Sequence, residues 1–499
     1  MRWRDFASLP VLPDDYFDLR FGARRVHFIG IGGIGMSALA FALAHRGHIV
    51  FGSDANDSPM LAKLRDAGVQ TFIGHRAENL SPDNKPVDAV IWGSAISPDN
   101  PERAAAQRSA IPQWHRAQLL AHFVNAAKFS IAVSGTHGKS TTSAMIAHIL
   151  DKYGKNPTAL LGAEYPPFGS NVRLGDGDLV VVEADESDGS FTLCKPTVAV
   201  VTNVEAEHLE NYDDSEDELW RAFKQFADDA GQVVLNSDSS GLCDCLDSDG
   251  WSLRYGLDSK SHICAADLRV ANRRLNFQIV AQENIVGTFD LGVPGKHNVS
   301  NALAAIGATW LHCLEGKSEA HNQQIHFGDV RRLAATLADF HGVARRFQFV
   351  GEVSNIVVYD DYAHHPTEVQ STLSAAREFL QRPITAIFQP HRYSRTQQMG
   401  HLFGPSFEAA ERVIVTQLYS AWEEPIPDVS GRVVFDAIQK TFPDKPLFYA
   451  ETLDEARTLA IELTQPGDAI MTMGAGDIGT QPKRIVEELQ RHKLSQPIS

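Results

Sequence analysis

The chain is short of several things, and each shortage excludes something. It has only five cysteines, Cys194, Cys243, Cys245, Cys264 and Cys313. An odd count without paired spacing argues against a disulfide framework and for reduced thiols in a cytoplasmic setting. Cys243 and Cys245 form a lone C-x-C pair in an acidic stretch, too little for a metal site. Positive charge is scarce as well: 45 Lys and Arg stand against 62 Asp and Glu, a net charge of −17. A nucleic-acid partner is therefore not expected, and any anionic substrate must be gripped by local cations. No run approaches the roughly 18 apolar residues of a membrane span. Arg2 and Arg4 are followed by Asp14 and Asp15 before any long apolar run, so no secretion signal is expected. Internal repeats and low-complexity tracts are missing too.

What remains is the composition of a globular protein, 43% hydrophobic and 21% charged over 499 residues. That length suits roughly three domains, each with its own core. Apolar strands alternate with helices throughout, which predicts an α/β fold built on mostly parallel sheets. In a first segment, 1–128, strands are expected at Arg25-Val26-His27-Phe28-Ile29, Ile49-Val50-Phe51 and Ala89-Val90-Ile91-Trp92. A middle segment, 129–342, carries Ile131-Ala132-Val133, Leu179-Val180-Val181-Val182 and Val198-Ala199-Val200-Val201. Its stretch 314–329 reads as a polar surface insertion without chemistry. The third segment, 343–499, carries Ile356-Val357-Val358-Tyr359, Ile384-Thr385-Ala386-Ile387-Phe388, Val413-Ile414-Val415 and Ala469-Ile470-Met471-Thr472-Met473.

Ligands of open parallel sheets sit beyond the carboxyl ends of the strands. The most informative such end is Ser134-Gly135-Thr136-His137-Gly138-Lys139-Ser140-Thr141. Small residues let successive N–H groups face one concavity at a helix N-terminus, Lys139 can reach terminal phosphates, and the Ser140 hydroxyl can hold Mg2+. Val133 stands where the strict phosphate-loop pattern has glycine. A first glycine loop, Gly30-x-Gly32-x-x-Gly35 with Asp54 downstream, fits a dinucleotide, a UDP-sugar or close helix–strand packing equally. Glu183 ends a buried strand inside Glu183-Ala184-Asp185-Glu186-Ser187-Asp188, placed either to ligate Mg2+ or to cap a helix; capping is expected for most of the other acids. His208 lies just past the next strand end, as a metal or phosphate group or a packed ring. In the third segment, Asp360-Asp361-Tyr362-Ala363-His364-His365-Pro366 and Gln389-Pro390-His391-Arg392-Tyr393-Ser394-Arg395 crowd ionisable groups at two strand ends. The arginines there can hold carboxylates bidentately.

Taken in order, G-I-G-G-I-G-M-S, S-G-T-H-G-K-S-T, E-A-D-E-S-D, T-N-V-E-A-E-H, P-G-K-H-N-V-S-N-A, G-V-A-R-R-F, D-D-Y-A-H-H-P-T-E, F-Q-P-H-R-Y-S-R-T and M-G-A-G-D-I span Gly30 to Gly479. This series resembles the ATP-dependent Mur ligases of peptidoglycan synthesis, a pathway of cell-wall biogenesis, cell shape and division. The resemblance implies a Rossmann-like UDP-sugar domain, a central P-loop ATPase domain and a Rossmann-like C-terminal domain. It implies joining of L-alanine to UDP-N-acetylmuramate through an acyl phosphate, with ATP and Mg2+, by a cytoplasmic monomer or homodimer. By motif, Gly135, Thr136, His137, Gly138, Lys139, Ser140, Thr141, Asn298, Asn301 and Asp361 correspond to the ATP site. Ser140, Glu183 and His208 correspond to Mg2+ ligands, and Gly33, Met36, Ser37, Asp54, His75 and Ser94 to the UDP-sugar site. Tyr362, His364, Arg392 and Arg395 correspond to amino-acid and product contacts, with His364 a candidate to take the amine proton. Three departures stand out: Ser140 for a more usual threonine, Glu207 for aspartate, and Trp422 where a small residue is familiar. Lys224 lies near the position of a carbamylated lysine in sister ligases, but the match is poor. The alternatives are a recycling ligase that adds a preformed tripeptide to the same sugar, an NAD-dependent oxidoreductase, and a non-catalytic UDP-sugar sensor. The Gln389–Arg395 run fits the alanine reaction better than the tripeptide one. An oxidoreductase would leave Lys139, Ser140 and Glu183 without a task.

Overall fold

The computed structural model describes residues 2–495 except 7, 248–251, 259, 272–273, 314–325 and 422. Trp422 and most of the 314–329 stretch therefore lie outside the described residues. The remainder of that stretch enters the helix Phe327–Thr336, which buries Val330 and Leu333. The chain divides into two units: Met1–Ala266, Gln278–Phe289 and Val299–Ala338 in the first, and Asp267–Phe277, Asp290–Asn298 and Asp339–Ser499 in the second.

The first unit opens with a five-stranded sheet in the order Gln70–Ile73, Ile49–Asp54, Arg25–Ile29, Ala89–Trp92, Gln113–His115. Every pairing is parallel. Chain order reverses at Arg25–Ile29, whose carboxyl end runs into the first glycine loop and the helix Ile34–His45. A crevice at such a reversal is where α/β sheets bind ligands.

A second sheet repeats the logic. Its parallel strands run Leu253–Gly256, Gln232–Asn236, Val198–Val201, Phe129–Ser134, Leu179–Glu183, Thr158–Tyr165, with Ser170–Arg173 antiparallel at the edge. Val198–Val201 is buried along its whole length and Leu179–Glu183 along its four apolar residues. These continuous apolar runs are the mark of strands covered on both faces. The helix Lys139–Lys152 buries every residue from Ser140 to Leu150.

The second unit's sheet is ordered Gln348–Val353, Ile356–Asp361, Ala469–Met473, Ile384–Phe388, Arg412–Thr416, Leu447–Ala450. Only Gln348–Val353 is antiparallel. Val357, Ala386, Phe388, Val413, Val415 and Met471 form part of its core.

The α/β class and the expected strands are present. Strands at Gln70–Ile73, Gln113–His115, Thr158–Tyr165, Ser170–Arg173, Gln232–Asn236, Leu253–Gly256, Gln348–Val353 and Leu447–Ala450 were not anticipated, nor were Ile263–Ala271, Arg274–Ala281 and Asn284–Leu291. Several are only three or four residues long, and Arg274–Ala281 alternates between half-buried and buried positions. None offers the long apolar run that betrays a central parallel strand. All five cysteines are free thiols. No helix among the described residues is long and apolar enough to cross a membrane.

Candidate active site

The phosphate loop joins Phe129–Ser134 to Lys139–Lys152 through four residues whose shape is fixed by their neighbours. Gly135 and Gly138 have φ of +132° and +84°. A Cβ at Gly135 would stand 2.1 Å from Thr202 Oγ1, and one at Gly138 would stand 2.6 Å from Asn301 Oδ1. Both positions therefore demand glycine on conformation and on space. The amides of Thr136 and His137 donate to Asn203 O (3.0 Å) and Asn203 Oδ1 (2.8 Å). Thr202 Oγ1 and Asn203 Nδ2 donate to His137 O, and Glu205 N donates to Thr136 Oγ1. Thr136 and His137 thus brace the loop through their backbones. The N–H groups at the start of the helix, from Lys139 through Thr141, face an anion in the usual way.

Lys139 lies across this concavity. Its Nζ donates to Gly135 O (2.7 Å) and Thr136 O (3.1 Å) and pairs with Glu186 Oε2 at 2.7 Å. Burial disfavours the ammonium, but the Glu186, Asp185 and Glu183 carboxylates outweigh it and hold the pKa above the ordinary lysine value. Burial pushes Glu186 up to about 7 despite the facing ammonium. Tyr212 donates its hydroxyl to Glu186 O and locks the turn. Glu186 is therefore the buried partner of the loop lysine.

Glu183 is brought to the loop by register, since Leu179–Glu183 pairs in parallel with Phe129–Ser134 and sets Glu183 opposite Val133. Its Oε2 accepts from Gly162 N at 3.1 Å. A Cβ at Gly162 would come within 2.1 Å of that oxygen, so glycine makes room for the carboxylate. Ser140, the second residue of the helix, is buried. The Ser140 hydroxyl and the Glu183 carboxylate are hard oxygen donors of the kind Mg2+ takes, and they fit that ion. His208 sits in a left-handed conformation (φ 56°), with Nδ1 3.7 Å from Glu210 and Nε2 4.0 Å from Glu207. A second group, His137, Glu205 and Glu207, brings three possible ligand atoms within 4.8 Å of one another. Asn301 lies against Gly138, whereas Asn298 donates Nδ2 to Pro294 O at 2.6 Å. Lys224 pairs with Asp228 one turn along its own helix.

At the first glycine loop, Gly30 and Ile31 donate their amides to Ser53 O and Gly32 donates to Asp54 Oδ2 at 2.9 Å. Asp54 therefore braces the loop with at least one oxygen. Gly33 caps the helix and Met36 packs near Gly93. Ser37 is fully buried and donates its hydroxyl to Ile34 O, so it supports the helix start from behind. His75 Nδ1 meets Ser53 Oγ at 2.9 Å. Ser94 donates to Asp188 Oδ2 (2.8 Å), touches His115 Nε2 (3.1 Å), and shares Asp188 with Arg116 (3.1 Å). Burial beside Arg116 pushes His115 down to about 4. A Cβ at Gly35 would lie 3.7 Å from the Arg116 guanidinium, so a cation stands over this loop. Asp188 belongs to the same acidic run as Glu183. Arg116 and Ser94, which follow two strands of the first sheet, are therefore tied through Asp188 to the acidic run that carries Glu183.

In the second unit, Asp361 is buried and accepts from Phe347 N (2.7 Å) and Ala363 N (2.8 Å). Burial still pushes it up to about 6, against the pull of the Arg346 charge. The Tyr362 ring lies 5.1 Å from both the Arg345 and the Arg346 guanidinium and meets the His364 ring edge-on. His364 Nδ1 is 3.0 Å from Tyr362 O, and burial pushes the ring down to about 4. His391 stacks on Tyr419, lies 3.3 Å from Arg395, and is pushed by burial to about 3. Arg392, with φ of 72°, precedes the helix Tyr393–Met399, and Glu423 ties that helix down through Ser394 N and Oγ. Tyr362, His364 and Arg395 thus gather with His391 beyond the ends of Ile356–Asp361 and Ile384–Phe388, the two strands that flank Ala469–Met473.

Sequence reasoning missed Glu186, Arg116, Asp188 and Glu205 as site residues. Arg116 follows the strand Gln113–His115 directly, and the rule about strand ends would have raised it had that three-residue strand been read.

Three family descriptions cover most of the chain: "Mur ligase family, catalytic domain" over residues 25–128, "Mur ligase middle domain" over 133–309, and "Mur ligase, glutamate ligase domain" over 345–476. A UDP-N-acetylmuramate–L-alanine ligase of Carboxydothermus hydrogenoformans is 41% identical over 91% of this chain and 94% of its own. One from Sulfurihydrogenibium sp. is 38% identical over 91% and 95%. The crystal structure of UDP-N-acetylmuramate-alanine ligase from Thermotoga maritima superposes with a TM-score of 0.78 at 30% identity, covering 94% of this chain and all of that one. A murein peptide ligase from Psychrobacter arcticus gives 0.65 at 26% identity, over 94% and 99%. With its two nucleotide-type loops, its paired Lys139 and its third sheet in place, the chain belongs to the Mur ligase family.

Proposed function

We propose that this protein joins L-alanine to the carboxylate of UDP-N-acetylmuramate at the expense of ATP, a step of peptidoglycan precursor synthesis. The observation that carries the reading is an intact phosphate loop, with Lys139 beside Glu186 and Glu183, whose acidic run is bonded through Asp188 to Arg116 and Ser94 at strand ends of the sheet that bears the first glycine loop. A carboxylate is a poor electrophile. One of its oxygens attacks the γ-phosphorus of ATP, the bond to the β-phosphate oxygen breaks, and an acyl phosphate and ADP result. The neutral alanine amine then attacks the acyl carbon, inorganic phosphate leaves, and the nitrogen gives up one proton to solvent or a nearby base while keeping the other as the amide N–H.

Lys139 neutralises charge on the transferred phosphoryl group, and the loop amides hold it in line. Ser140, Glu183 and His208 would hold Mg2+, which supplies charge neutralisation at the phosphates. Thr136, His137 and Gly138 shape the loop, Asn298 and Asn301 serve the adenine end, and Asp361 serves ATP from the third sheet. Gly33, Met36, Asp54, His75 and Ser94 form the UDP-sugar site, with Ser37 behind it. Arg392 and Arg395 take the alanine and product carboxylates, and Tyr362 orients them. His364, with Nδ1 on Tyr362 O, is neutral at pH 7 and offers Nε2 to the amine as an acceptor. A ring pushed so low is a weak proton store, so its role is orientation more than general base. Domain boundaries near residues 128 and 342, a cytoplasmic place and a monomeric or dimeric state complete the reading.

Coupled ADP release tests it, with UDP-N-acetylmuramate, ATP and either L-alanine, glycine, L-serine or a tripeptide. Strong preference for L-alanine is expected. Preference for the tripeptide would turn the assignment to the recycling reaction, and no turnover with any of them would sink it.

A further inference from the structure

Glu102 is fully buried, and the reaction outlined above gives it no role. It lies in the first turn of the helix Pro101–Arg108, where the Asn100 side chain caps the helix through Glu102 N and Arg103 N. Its Oε1 accepts from Asn79 Nδ2 at 2.6 Å and from Arg76 N at 3.3 Å. Its Oε2 accepts from Ser53 Oγ at 2.6 Å and stands 3.4 Å from both His27 Nε2 and His75 Nδ1. Burial alone would raise its pKa, but His27, Ser53 and Asn79 together bring it below the ordinary value, so the group is an anion.

The bonding pattern then fixes the place of one proton on His75. A carboxylate only accepts, so Ser53 gives its single O–H to Glu102. The Ser53 oxygen keeps lone pairs alone, and its contact of 2.9 Å with His75 Nδ1 requires a proton on that nitrogen. A neutral imidazole protonated at Nδ1 carries a bare lone pair at Nε2. Ser53 is also the residue whose carbonyl receives the Gly30 and Ile31 amides, so the relay is anchored to the strand end that holds the glycine loop.

We propose that Glu102 is a positioning residue which, through Ser53, fixes His75 in the Nδ1–H tautomer so that Nε2 accepts a hydrogen bond from a donor on the uridine of the UDP-sugar. The donor is the uracil N3–H or a ribose hydroxyl. This inference rests on the reading of His75 as a UDP-sugar contact.

The test uses the full chain labelled with 15N-histidine. Long-range 1H–15N spectra of the ligand-free wild type should show His75 with a pyrrole-type Nδ1 and a pyridine-type Nε2. In Ser53→Ala and in Glu102→Gln, which turns an NH2 toward groups that are themselves donors, that bias should be lost. The KM for UDP-N-acetylmuramate should rise about tenfold, the size of one lost hydrogen bond, while kcat and the KM for ATP stay put. A merely structural role would not move the tautomer. Affinities for UDP, N3-methyl-UDP and 2′-deoxy-UDP identify the donor, because only the analogue lacking it should bind wild type and His75→Ala equally. An Nε2–H tautomer in the wild type, or an unchanged tautomer and KM in Ser53→Ala, which removes no charge and only one oxygen, overturns the proposal. An unchanged KM in His75→Ala overturns the UDP-sugar reading of that ring and the ligand half of the inference. The tautomer spectra, recorded without ligand, judge the Glu102 relay separately.

Discussion

Gly162→Ala isolates the Glu183 carboxylate from every other feature of the site. A Cβ there would stand 2.1 Å from Glu183 Oε2 and 2.2 Å from Oε1. Non-bonded carbon prefers about 3.5 Å, so the carboxylate must retreat by about 1 Å or more. The Gly162 N–H bond to Oε2, 3.1 Å long, is strained or lost in the process. Gly162 does not have a positive φ, so alanine itself suits the backbone. What has to move is the far end of one side chain, and the fold should melt near the wild-type temperature. A misplacement of about 1 Å in a positioning group costs on the order of 100-fold in rate. The variant should therefore lose about two decades of kcat in alanine-dependent ADP release and need more Mg2+ for half-maximal rate, with UDP-sugar affinity unchanged. A kcat within about threefold of wild type, a loss of transition-state stabilisation well under 1 kcal/mol, would refute the placement of Glu183 at the reacting phosphates.

Two further expectations follow from the same geometry. Lys139→Ala should abolish ADP release while calorimetric binding of UDP-N-acetylmuramate survives; retained turnover would remove the lysine from the reaction. Burial raises the Asp361 carboxyl to about 6, above the ordinary aspartate value of about 4. The folded state therefore binds that proton more tightly, and stability falls as pH rises from about 4 to about 6, by about 3 kcal/mol in all. Relative to the wild type, Asp361→Asn should melt with this downward trend removed; parallel melting profiles across that window would contradict it.

Much of this molecule could be read from its residues because the informative ones end apolar strands. Leu179–Glu183 and Val198–Val201 announce themselves as buried strands, and the polar groups that follow them fall beside the phosphate loop as the parallel register requires. The first glycine loop was legible for the same reason, since it follows the apolar strand Arg25–Ile29. What stayed hidden depends on contacts between segments distant in sequence. Glu186 looks like any acid in an acidic turn until Lys139 is placed 2.7 Å away. Asp54 and Ser37 match a motif, yet the fold directs an Asp54 oxygen to Gly32 and the Ser37 hydroxyl to Ile34. Glu102 carries no local signal, since its meaning comes from Ser53 on the strand Ile49–Asp54 and from His75 in the loop after Gln70–Ile73.

The account stands most directly on the claim that the sugar carboxylate is activated by phosphorylation. UDP-N-acetylmuramate labelled with 18O in both carboxyl oxygens, turned over with ATP and L-alanine, should deliver one 18O to the released phosphate, seen as an isotope shift in its 31P spectrum, and keep the other in the new amide. Phosphate free of label alongside formed product would contradict it.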